Sequence, residues 1–109
     1  MPSEYPIQID VWTVDQDRRD ELVKMLSVTL RRLVVPRTGF ISAQLYESVD
    51  GREVLLHLHM RTAKDRLELT DSPMVRDAYR AARGIARSHS NFYRVAESYG
   101  DACAPAGAA

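Results

Sequence analysis

The chain holds 109 residues, of which 45% are apolar, 15 are Lys or Arg, 15 are Asp or Glu and one is Cys. Those proportions describe one ordinary domain, large enough to hide about two thirds of its surface without disulfides or metal clips. A formal charge of zero removes the basic excess behind sequence-independent nucleic-acid binding, and no run reaches the roughly 18 apolar residues of a membrane span, so neither nucleic acid nor membrane is expected as a partner.

Ile7, Ile9, Val11 and Thr13 alternate with Gln8, Asp10, Trp12 and Val14, the period of a strand with different chemistry on its two faces. Asp15 or Asp17 then offers a helix cap, followed by Leu22, Met25, Leu26, Leu30 and Leu33 at helical spacing, and Pro36 closes that helix. Phe40 to Glu47 and Glu53 to Met60 read as strands joined through Asp50-Gly51, a strong hairpin signal. Thr62 opens a second helical region over Ala63 to Leu69; Ser72 and Pro73 restart it, and it runs to about Ala86. Asn91 to Ala96 reads as the last strand. The ending around the lone Cys103 is Ala, Gly and Pro, which divides the chain into a domain over 1–99 and a flexible C-terminal tail over 100–109. An unpartnered cysteine and the lack of a signal-peptide pattern lead to the expectation of a reducing cytoplasm.

With Asp50 and Gly51 as the loop, Val49 faces Arg52, Leu45 pairs with Leu56, Ala43 with Leu58 and Ile41 with Met60, which makes one hairpin face apolar. The opposite face sets Ser42 beside His59, Gln44 beside His57 and Tyr46 beside Leu55. The element order βαββαβ is the ferredoxin-like split βαβ plan, α+β, with helices on one face of a four-stranded antiparallel sheet. The uncovered sheet face carries apolar side chains, so a homodimer packed sheet against sheet is expected.

The segments Ile9-Asp10-Val11-Trp12-Thr13-Val14, Gly39-Phe40-Ile41-Ser42-Ala43 and Ser48-Val49-Asp50-Gly51, in this order and spacing, resemble the antibiotic biosynthesis monooxygenase family over residues 7–96. The resemblance implies a dimeric α+β barrel with a cleft between helices and sheet in each subunit. It also implies one of the family's activities: cofactor-independent oxygenation of aromatic polyketides, haem degradation or quinol oxidation. Polyketide oxygenases of this kind place an asparagine on strand three and a tryptophan four residues on, where this chain has Leu56 and Met60. The family's polar position on strand one is Asp10, and Tyr79 stands where the haem-degrading branch has its axial histidine.

Asp10 is a carboxylate in the middle of an apolar strand, a place where such a group is depleted. Facing an apolar cleft it becomes a candidate base for a phenol or an activated carbon acid. An ion pair with Arg83 or Arg94, or exposure at an edge, is the competing account. Tyr79 and Arg83 lie one helical turn apart and share a face, so a phenol and a guanidinium reach the same oxyanion. Trp12 is placed to stack on an aromatic substrate, with Leu56, Leu58 and Met60 as its apolar surroundings; Trp12 as an interface anchor and Tyr79 as a core tyrosine are the plainer readings. His57 and His59 share the other face, but two imidazoles do not make a metal site, and the interface is the better account of them. The expected function is a cofactor-independent monooxygenase of an aromatic polyketide or related polyphenol in antibiotic biosynthesis, taking a small aromatic substrate and dioxygen and holding no metal. The alternatives are a non-oxidative cyclase or rearrangement enzyme and an aromatic-binding accessory protein; in the latter, Leu56, Leu58 and Met60 fill the cleft.

Overall fold

Ile7–Val14 forms β1 at the centre of the computed structural model, which describes residues 5–100. Its alternation puts Gln8, Asp10, Trp12 and Val14 on the face covered by helices, all of them buried. β2 (Phe40–Glu47) and β3 (Glu53–Met60) form the hairpin that Asp50-Gly51 specifies, with Gly51 at φ +74°. The strands order β2-β3-β1-β4, antiparallel throughout. This is the ferredoxin-like α+β plan, with three helices in place of the two of the simplest form.

α1 (Arg19–Thr29) follows a short 3-10 turn, Gln16–Arg18. Neither Asp15 nor Asp17 caps it with a side chain; the backbone carbonyl of Asp15 accepts from the Arg18 N–H at 2.9 Å instead. A π turn, Leu30–Val34, carries the helix to the residues before Pro36. Gly39 sits at φ +88°, where a Cβ would run into the Asp65 carboxylate, so this tight approach to the next helix requires glycine. α2 (Ala63–Thr70) is capped by Thr62, whose hydroxyl accepts from the Asp65 N–H. α3 (Pro73–Ala82) starts with Pro73 in its first turn and Ser72 at the cap position, without a side-chain bond from Ser72.

Two expectations are corrected here. The pairing of Ile41 with Met60 is replaced by Phe40 with Met60, because the register shifts between Phe40 and Ser42. That irregularity leaves Ile41 half-exposed and packs Phe40 against the core. The last helix ends at Ala82, and β4 is Ala86–Tyr93, five residues ahead of the expected start at Asn91. Arg87-Ser88-His89-Ser90 shows no apolar alternation, yet backbone pairing to β1 makes it a strand.

The core lies between helices and sheet: Leu22, Leu26, Leu30 and Val34 from α1 and the π turn meet Trp12, Val54, Leu56, Leu58 and Met60 from the sheet, with Leu69, Val75 and Ala82 closing it. Each fully buried large apolar side chain contributes about 1.5–3 kcal/mol. The tail residues 101–109, with Cys103, lie outside the described residues. Among the described residues no helix is long and apolar enough to cross a membrane.

Candidate functional site

Asp10 lies between Leu56 on β3 and Ser90 on β4 and is 0% exposed. A carboxylate sealed at this depth needs donors on both oxygens. Gln8 supplies one: two residues earlier on the same strand face, its Nε2 donates to Oδ1 at 2.9 Å. The Tyr79 hydroxyl, from α3, donates to Oδ2 at 3.0 Å. The arginine partners open to Asp10 from sequence are thus replaced by two neutral donors.

Tyr79 is held from two sides. Its ring meets the Trp12 indole edge-on, centroids 5.8 Å apart and planes at 67°. Burial first, then the Asp10 charge and the hydrogen bond to it, raise its pKa well above the ordinary 10, while Arg83 acts the other way. The phenol therefore stays protonated at neutral pH and serves as donor to Asp10. A tyrosinate ligand to iron, the role a haem-binding reading would give it, is opposed by the same burial.

A hollow of about 270 Å³ opens beside this pair, between α3 and the β1–β4 edge of the sheet. Tyr79 and Arg83 line it together, as their helical spacing requires, along with Gln8, Val75, Ser90 and Phe92. Asp10 stands behind Tyr79 and Gln8 and is not part of the lining. Trp12, Leu56, Leu58 and Met60 are 0–1% exposed and belong to the core cluster, so the space first assigned to a cleft between helices and sheet is filled where these four meet α1. The indole N–H of Trp12 is buried there without an acceptor among the described residues. A second, polar groove of about 470 Å³, between the end of β1 and the segment from α3 into β4, shares Arg83 and adds Arg52 and Arg87.

His57 and His59 lie on the uncovered sheet face, as the hairpin register predicts, with the His57 Nδ1 2.7 Å from Gln44 Oε1. Among the described residues no three His, Cys, Asp or Glu side chains group as a metal site. Gln8, Ser90 and Phe92 were not singled out from sequence. Gln8 carried a usable signal, since it shares the period-two face of Asp10; Ser90 did not, because β4 begins earlier than its composition indicates.

No family profile and no curated protein matches the chain in sequence. Solved structures do match in shape. SnoaB, a cofactor-independent oxygenase from Streptomyces nogalater, is 12% identical with a TM-score of 0.68, over 84% of this chain and 93% of its own. A candidate antibiotic biosynthesis monooxygenase from Deinococcus radiodurans is 13% identical with a TM-score of 0.74, over 86% and 95%. Rv0793 from Mycobacterium tuberculosis is 19% identical with a TM-score of 0.66, over 85% and 98%. Identities this low speak for backbone architecture, and on that ground the chain has the ferredoxin-like α+β fold of the antibiotic biosynthesis monooxygenases.

Proposed function

We propose that this protein is a cofactor-independent monooxygenase of a small electron-rich aromatic, an aromatic polyketide or related polyphenol, acting as a homodimer. The observation that carries this reading is the buried Asp10 carboxylate bonded to Tyr79, which stands on the wall of a hollow. A substrate held there loses a proton to the Tyr79 oxygen as the Tyr79 proton moves to Asp10 Oδ2, so the acid works as the base one residue removed. Arg83, on the same wall, stabilises the oxyanion that forms. The substrate anion passes one electron to dioxygen, the two radicals join as a peroxide, and loss of water leaves a carbonyl. One methylene and one dioxygen thus give one carbonyl and one water. The structural likeness to SnoaB supports the same reading.

Oxygen uptake by the metal-free protein with an anthrone-type substrate tests it. Uptake is expected to match product, and Asp10→Asn is expected to slow it about 100-fold or more with the fold intact. Full activity in that variant removes Asp10 from the reaction.

A second reading is favoured by one feature: the hollow is at the small end of ligand sites, because the four apolar side chains expected around a substrate fill the core instead. It is that the protein binds or rearranges an aromatic intermediate without oxygen. Turnover under anaerobic conditions selects it over the first.

A further inference from the structure

Arg66 on α2 is 0% exposed, yet most of its donors have no partner among the described residues. Its Nε donates to the Tyr5 carbonyl at 3.0 Å, and its guanidinium lies 3.8 Å over the Phe92 ring. Nη1 and Nη2 are buried with no acceptor among the described residues. A sealed cation without a counter-anion is among the least favourable states in which a fold leaves a side chain. A methionine at this position would pack the same stem without that penalty, so the guanidinium points to a requirement beyond packing.

The neighbours of Arg66 set it against the hollow described above. Phe92 lines that hollow and is 43% exposed. Thr70, one helical turn after Arg66, lines it as well. The Phe92 ring thus touches guanidinium and cavity alike, and it sits on edge strand β4 with part of its surface open to solvent. Gln8, opposite Phe92 in the β1–β4 register, has its Oε1 buried without a donor among the described residues, beside the same space. Arg76 and Arg83 line the cavity too and, among the described residues, no acidic side chain does, while the Asp10 carboxylate stands behind Tyr79 and Gln8.

We propose that the substrate is an ortho-hydroxy aromatic acid, its carboxylate taken by the two Nη atoms of Arg66 when Phe92 swings aside, and its hydroxyl donating to Gln8 Oε1. A planar fork of two N–H groups facing a carboxylate is the strongest pairing a guanidinium makes. This rests on reading the Gln8–Tyr79 hollow as the substrate site, and it adds which aromatics are accepted.

Calorimetric titration of the full chain under anaerobic conditions compares ortho-hydroxynaphthoate with naphthol, and salicylate with phenol. Each acid is expected to bind at least tenfold tighter than its neutral counterpart, with the margin shrinking as salt is added. Arg66→Met is expected to abolish the preference while naphthol affinity stays within about twofold, and Arg66→Lys to keep part of it. Because Arg66→Met also touches the packing of α2, the unmodified protein gives an independent readout: the Arg66 Nε–H resonance shifts with the acid and not with naphthol. Equal affinities in the native chain, a preference that survives Arg66→Met, or an unmoved Arg66 resonance overturns the proposal. With an anthrone and its ortho-hydroxy acid as substrates, Arg66-dependent binding of the acid without oxygen uptake upholds the anchor and overturns the oxygenase; equal uptake with and without the carboxylate upholds the oxygenase and overturns the anchor.

Discussion

Tyr79 owes its chemistry to the depth at which α3 holds it. Its phenol pKa is raised in the folded chain, chiefly by burial and then by Asp10, so folding favours the protonated form. The stability this represents is complete below the ordinary tyrosine value near 10 and is lost as pH rises through the higher folded value. An alkaline absorbance titration is expected to show a late ionising step that is missing from Tyr79→Phe. The same substitution strips a donor from Asp10 Oδ2 and leaves a buried carboxylate oxygen unpaired, which costs about 1–3 kcal/mol in urea unfolding. An unchanged midpoint would show that the oxygen finds another donor. Asp10 itself was legible from sequence as an anomaly, a carboxylate inside an apolar strand. Its partner Tyr79 was not, because it is sixty-nine residues distant in the chain and only packing brings the two together.

The elements differ in how much of each was written locally. The β2–β3 hairpin was legible nearly whole: Asp-Gly fixed the loop, and the loop fixed Leu45 on Leu56, Ala43 on Leu58 and Gln44 on His57. It failed only at Phe40, where the register shift replaces strict alternation. β4 failed at its start, since a polar edge segment becomes a strand by pairing with β1 and not by its own pattern. One prediction belongs to the hairpin. Burial, and then the neighbouring His59, lower the His57 pKa below 6.5 in the folded chain. The unfolded chain therefore takes up the proton first, and stability that is full above 6.5 is lost as pH falls through 6.5 toward the folded value. Thermal midpoints are expected to decline from about pH 7 to pH 5, and His57→Gln to flatten that decline. A slope unaltered by the substitution would assign the effect to other groups.

At the scale of the molecule, the helices cover one face of the sheet and leave the other partly bare. Ile9, Val11 and Leu55 are only half-buried there, and Tyr46 and Tyr93 are 48% and 42% exposed. Covering an apolar face of this kind is the reason to propose sheet-to-sheet pairing of two copies. Sedimentation velocity at micromolar concentration is expected to show a dimer. Val11→Arg, on central strand β1, is expected to yield a folded monomer, because a guanidinium at the middle of a dry interface has no partner. A monomeric native protein overturns this.

Sequence alone determined the α+β plan, the hairpin and its register, the period-two face that holds Asp10 and the helical face that pairs Tyr79 with Arg83. Each of these follows from spacing within a few residues, where backbone geometry leaves little choice. Tertiary structure alone decided that Asp10 is bonded by Gln8 and Tyr79 instead of an arginine, that Trp12, Leu56, Leu58 and Met60 fill the core, and that the hollow lies at the β1–β4 edge beside the stacked Arg66 and Phe92. Those outcomes depend on how α1 and α3 settle on the sheet. That is a matter of volume and of side chains far apart in the chain, which no local pattern encodes.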